Sequence, residues 1–82
     1  MYEIDFSVTA EKQLCKLETE VQSRIVAVLE RIRVRPYPFI TRLVGTAYYR
    51  LRVGEYRVIL DVREQKVIIF VIEVGHRRNV YE

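Results

Sequence analysis

The residues that could do chemistry gather in the segment Tyr48-Tyr49-Arg50-Leu51-Arg52-Val53-Gly54-Glu55-Tyr56-Arg57 and in the closing run Gly75-His76-Arg77-Arg78-Asn79-Val80-Tyr81. Gly54-Glu55 is a two-residue connection with glycine first, as a type II′ hairpin requires. Such a turn sets Arg52 directly across from Arg57, with Arg50 two residues along on the same side. Like charges opposed on a sheet are destabilising by roughly 0.5 kcal/mol unless an anion lies between them. Asp61, diagonal to Arg50, with water screening the rest, is the bland account of this pair. The functional account is a clamp for phosphate, whose paired oxygens the guanidinium fork matches. The closing run adds two arginines, an imidazole and a phenol beside it. This set suits cleavage of RNA through its own 2′-hydroxyl: Arg57 and Arg77 stabilise charge on the phosphoryl oxygens, and Tyr81 or His76 delivers a proton to the departing 5′-oxygen. Tyr48 or Tyr81 could stack a base. No general base stands out.

Composition agrees with a polyanionic partner. The chain has 82 residues, 14 basic against 11 acidic, and a formal net charge of +3. The excess lies C-terminal, where residues 42–82 hold eight basic and five acidic side chains. Eleven of the fourteen basic residues are arginine. The length suits one domain over residues 1–82 with room for a single core. No apolar run has the length of a membrane span, and the first residues lack the pattern of a secretory signal, so a soluble cytoplasmic protein is expected. One cysteine, Cys15, excludes an internal disulfide, and no His/Cys cluster has metal spacing. Neither metal nor cofactor is implied. Cys15 beside Leu14 is expected to be a buried, inert thiol.

The elements that must carry these residues follow from periodicity. Tyr2, Ile4 and Phe6 alternate with Glu3, Asp5 and Ser7, the period of a half-buried strand. Thr9 is placed to cap a short helix through about Leu17, and Thr19 with Gln22 reads as a capping box for a second. Val21, Ile25, Val28, Leu29 and Ile32 recur at helical spacing until Pro36 and Pro38. Three strands rich in Val, Ile and Tyr follow, at about 48–53, 56–62 and 67–74. The expected fold is α+β, in the order β-α-α-β-β-β, with a two-helix hairpin on an antiparallel sheet.

Strict alternation then separates two faces. Tyr49, Leu51, Val53, Tyr56, Val58, Leu60, Val62, Val67, Ile69 and Val71 form an uncharged face for the helices. The other face carries Tyr48, Arg50, Arg52, Arg57, Ile59, Asp61, Ile68, Phe70, Ile72 and Val74. Its apolar members, Ile59, Phe70 and Ile72, mark either a partner site or a surface that a C-terminal tail covers.

With these residues in view, the sequence resembles the RelE/ParE superfamily of bacterial and archaeal toxins, and the RelE branch in particular. The motifs are Leu43-Val44-Gly45, Tyr49-Arg50-Leu51-Arg52, Gly54-Glu55-Tyr56-Arg57-Val58 and Val74 through Tyr81, and the element order is also the family's. The resemblance implies a RelE-like, microbial ribonuclease-like fold and a ribosome-dependent, metal-independent mRNA interferase that cuts the message in the decoding site. It implies Arg57, Arg77 and Tyr81 as catalytic residues, with Arg50, Arg52, His76 and Arg78 binding RNA. Lysine stands at the positions of Arg50 and Arg52 in the best-known type, and arginine cannot replace it as a base because it keeps its proton. Tyr81, His76 or Glu55 is then left to take the hydroxyl proton, unless charge stabilisation and alignment suffice.

The implied partners are the ribosome with its mRNA and a RelB-like cognate antitoxin, with room for a toxin–antitoxin heterotetramer. Two other functions stay open. The ParE branch shares the fold and inhibits DNA gyrase without catalysis, and a toxin-like domain could bind RNA or the ribosome with its activity impaired. Arg57, Arg77 and Tyr81 together favour cleavage.

Overall fold

The computed structural model describes residues 1–76. Strand β1 (Glu3–Phe6) leads into α1 (Val8–Cys15) and α2 (Thr19–Ile32), then a 3-10 turn at Tyr37–Phe39. Strands β2 (Thr41–Arg42), β3 (Tyr49–Val53), β4 (Tyr56–Arg63) and β5 (Ile68–His76) complete one sheet in the order β1-β5-β4-β3-β2. The expected α+β arrangement of a helix pair on a sheet is present, with two differences. A two-residue strand, β2, is added, pairing with Tyr49 and Arg50. The sheet is also mixed rather than antiparallel, because β1 runs parallel to β5 with Glu3 beside Ile68 and Phe6 beside Val71. The helix pair acts as the crossover that lets the chain return in the same direction.

The helix starts differ from the expected caps. Ser7, not Thr9, caps α1: its extended backbone ends β1, and its Oγ accepts from the Ala10 amide at 2.9 Å. Starting the helix there carries Ala10 into the core, where it is fully buried. Glu18 precedes α2 without a side-chain cap, so Thr19 and Gln22 form no capping box. Gln22 instead turns back, its Nε2 donating to the carbonyls of Leu17 at 2.8 Å and Cys15 at 3.4 Å, which closes the open end of α1. Cys15 itself is exposed, because Leu14 takes the inward position.

The core lies between the helices and one face of the sheet. Ile25, Leu29 and Ile32 of α2 meet Leu51, Val53, Val58, Leu60, Ile69 and Val71, with Ile4, Phe6 and Tyr56 packed at the margin. Each large apolar side chain buried there contributes about 1.5–3 kcal/mol. Val67 leaves this face: it lies in the turn before β5, exposed, with a positive φ of 54°. Val62 is only half-buried. Val74, expected on the other face, is 2% exposed and belongs to the core.

A β-bulge accounts for Val74. Leu60 pairs with Val71, but Ile59 pairs with Glu73, so Ile72 is an extra residue and the alternation of β5 reverses beyond it. Two side chains, the N-cap of α1 and a residue within that helix, hold the bulge. The Ser7 hydroxyl donates to the Ile72 carbonyl at 2.8 Å, and the Val74 amide donates to Gln13 Oε1 at 2.7 Å.

The far end of the sheet is tied by a carboxylate between two phenols. Tyr2 donates to Glu64 Oε1 at 2.9 Å and Tyr37 donates to Oε2, joining the β4–β5 turn to the chain before β1 and to the 3-10 turn. The bonds from Tyr37 and then Tyr2 hold the Glu64 carboxyl below the usual carboxylate range, and the same bonds push both phenols up. A carboxyl with a lowered folded-state pKa stabilises the fold above its unfolded value, about 4.3, and loses that contribution as pH falls through the folded value. Melting temperature is therefore expected to fall less between pH 6 and about 3 for Glu64→Gln than for wild type. Equal falls would show that the clamp adds no stability. The effect is small and weakens with salt, since Glu64 is exposed.

Candidate nucleic-acid interface

The expected hairpin positions the arginines. Gly54 takes φ 60° at the first turn position, the left-handed region that a type II′ turn needs and that glycine enters without strain. Val53 pairs with Tyr56 and Arg52 with Arg57, as the spacing predicts. Arg50 pairs with Ile59, which puts all three arginines on the face away from the helices. Arg57 continues across to Gly75 of β5, so the end of the last strand arrives beside it.

These arginines differ in setting. Arg57 is half-buried on the central strand β4, with its Nε and Nη1 atoms shielded from solvent. Packing of this kind holds a guanidinium in one place, which is what a preorganised charge requires. Arg52 is exposed and Arg50 half-buried, and neither takes part in an ion pair among the described residues. Asp61 does not neutralise Arg50: its carboxylate is 3.0 Å from Nε of Arg63, its neighbour along the same strand face. Arg52 and Arg57 stand directly opposed across the hairpin, and a phosphate between them would remove their repulsion.

The apolar part of this face is covered. Ile59 is 1% exposed beneath Leu43, itself 8% exposed, with Ile72 packed alongside. The turn after β2 supplies this roof: Leu43 and Tyr48 are joined by a backbone bond of 3.0 Å, and Thr46 bonds back to the Leu43 carbonyl. Phe70 lies under the Arg63 guanidinium at 4.7 Å. Ile59, Phe70 and Ile72 therefore do not form an open landing surface. What is left open beside the arginines is Tyr48, 37% exposed just before β3.

His76 is separated from the arginines. It pairs with Tyr56, and the two rings meet edge to face with centroids 5.5 Å apart, on the helix side of the sheet. The bulge causes this too, since it reverses the facing of every β5 residue after Ile72. Arg77, Arg78 and Tyr81 lie outside the described residues. Strict alternation also hides one residue that the structure brings to the site. Glu73 would point into the core, but its pairing with Ile59 turns it to the arginine face. A carboxylate at a position that alternation buries was the available signal, because an acid is almost never fully buried without a partner.

The sequence family described as the ParE toxin of type II toxin-antitoxin systems, parDE, matches residues 4–81. The chain belongs to this toxin family. Solved relatives carry the same fold. The toxin is similar to RelE in the E. coli RelBE toxin-antitoxin complex, at 31% identity, with 93% of this chain and 96% of the other covered and a TM-score of 0.79. Against the isolated E. coli RelE toxin the identity is 29%, the coverage 93% and 84%, and the TM-score 0.83. The RelBE2 complex of Mycobacterium tuberculosis gives 22% identity, coverage of 93% and 98%, and a TM-score of 0.83, a likeness of fold. No curated protein matches the toxin. Among the described residues no helix is long and apolar enough to cross a membrane.

Proposed function

We propose that this toxin is a ribosome-dependent mRNA endoribonuclease, inhibiting translation by cutting the message in the decoding site. The observation that carries the reading is the arginine face: Arg52 across from Arg57, Arg50 on the same side, and the end of β5 beside Arg57 at Gly75. Arg57 stabilises charge developing on the phosphoryl oxygens, while Arg50 and Arg52 hold the flanking phosphates. Arg77 and Tyr81, which follow β5 directly in sequence, act with Arg57 as a second cation and as the donor to the departing 5′-oxygen. Arg78 adds a phosphate contact. His76 contributes to RNA binding only from the end of β5, given its place beside Tyr56. The chemistry needs no metal, because fixed guanidiniums and a 2′-hydroxyl nucleophile suffice.

The relatives of known structure include E. coli RelE in complex with its antitoxin at 31% identity, which supports a cognate RelB-like antitoxin for this toxin, in an assembly up to a heterotetramer. An acidic segment of that partner laid over Arg50, Arg52 and Arg57 would block phosphate entry. The ribosomal target places the toxin in the cytoplasm.

The family's ParE description favours one other reading, non-enzymatic inhibition of DNA gyrase. Primer extension on a defined message in a translating extract separates the two. The expected result is new breaks between bases in the decoding site. Absence of breaks together with blocked DNA supercoiling would replace cleavage with gyrase inhibition.

A further inference from the structure

The arginine face has cations to hold phosphate but, from its arginines alone, no group that can accept a proton. The β5 bulge supplies one. Ile59 lies between Arg50 on β3 and Glu73 on β5, so the three form one row across the outer face. The neighbouring row is Arg52, Arg57 and Gly75. Glu73 is thus the diagonal neighbour of Arg57, at a backbone separation of roughly 7–8 Å, within reach of long side chains. It is half-buried, and the ion pairs among the described residues, Arg33 with Glu30 and Arg63 with Asp61, do not engage it. Asp61 shares the face but is held by Arg63, and Glu55 lies in the turn rather than on the face. The bulge that presents Glu73 is fixed on both sides, by Ser7 at the Ile72 carbonyl and by Gln13 at the Val74 amide. The backbone on either side of Glu73 is thereby held in place, which gives its side chain the fixed origin that positioned proton transfer needs.

We propose that Glu73 is the general base of this toxin, an assignment that rests on the message-cleavage reading. With the scissile phosphate between Arg52 and Arg57, the 2′-oxygen forms its bond to phosphorus as its proton passes to the Glu73 carboxylate. The bond from phosphorus to the 5′-oxygen breaks, and that oxygen takes a proton from a general acid. The products are a 2′,3′-cyclic phosphate and a 5′-hydroxyl. The base then returns its proton to solvent and the acid takes one back, so the site is regenerated. The carboxylate leaves the face net positive for RNA, since the arginines on it outnumber the acids.

The test is single-turnover cleavage of a defined message on programmed ribosomes by wild type, Glu73→Gln and Glu73→Asp, with ribosome affinity measured for each. Glu73→Gln is expected to slow cleavage by about 10²–10⁴-fold at unchanged affinity. Glu73→Asp, which keeps the carboxylate, should retain a larger share of the rate. A message with sulfur in place of the departing 5′-oxygen has a leaving group that needs no proton, and it should leave the Glu73→Gln deficit in place. Wild-type rates in Glu73→Gln overturn the assignment. So does a deficit confined to ribosome affinity, equal loss in both variants, or restoration by the sulfur substrate, which would make Glu73 the acid. Wild-type toxin that makes no breaks overturns the cleavage reading itself, a result distinct from variants that cleave as wild type does.

Discussion

Replacing Arg57 with alanine is expected to lower the rate of message cleavage by about 10²–10³-fold, the loss typical of removing one fixed donor to developing charge. The size follows from its setting. Arg57 is on the central strand, between Arg52 on one side and Gly75 on the other, with two guanidinium nitrogens shielded from water. A charge already held in place needs no reorganisation as the transition state forms, so its removal should appear in the rate more than in ribosome affinity. Arg52, exposed at the edge of the same row, should behave in the opposite way, because a mobile surface cation binds phosphate but stabilises the transition state little. Single-turnover rates and binding isotherms measured in parallel distinguish the two. A rate for Arg57→Ala within threefold of wild type, taken as about 0.6 kcal/mol, would remove Arg57 from the chemistry. Melting curves control for the loss of packing by its aliphatic stem.

The largest effect on stability is expected at Leu60. Its side chain is fully buried on the central strand, paired with Val71 on β5 and Tyr49 on β3, under α2. Leu60→Ala should cost about 2–5 kcal/mol, the transfer free energy of the lost atoms plus the cavity they leave. A domain of this length has a total stability of roughly 4–12 kcal/mol, so the variant should show a much lower urea midpoint and a measurable unfolded population at 37 °C. Leu60 also borders the bulge, next to Ile59 at the register shift. Its loss should therefore loosen the strand pairing that presents Glu73, and activity should decline at temperatures where most of the chain is still folded. A loss below about 1 kcal/mol would mean that the helices collapse onto the sheet and fill the space.

Local pattern was enough for most of the architecture. The alternation of Tyr2, Ile4 and Phe6, the helical spacing from Val21 to Ile32, and the glycine-first turn at Gly54 each act over a few residues. They therefore determined strand, helix and hairpin, and with them the pairing of Arg52 with Arg57. The motifs from Leu43 onward also led to the toxin family that the matched residues 4–81 show. The caps misled because two hydroxyls, Ser7 and Thr9, can each start the same helix, and only burial of Ala10 chooses between them. The parallel placement of β1 beside β5 is a contact between chain segments more than sixty residues apart, and no local period encodes it.

The site shows the same division. That arginines gather on one face was determined by the sequence, since a two-residue turn leaves one register. Which acids and rings accompany them was decided by the bulge, and the bulge depends on tertiary bonds from Ser7 and Gln13 to the backbone of β5. Inserting one residue into a strand reverses every side chain beyond it. Val74 therefore entered the core, His76 moved to Tyr56 on the helix side, and Glu73 turned out beside Arg57. The roof of Leu43 over Ile59 belongs to the same class, because a turn folding back over a sheet is chosen by the surface it can bury and leaves no periodic trace in the chain.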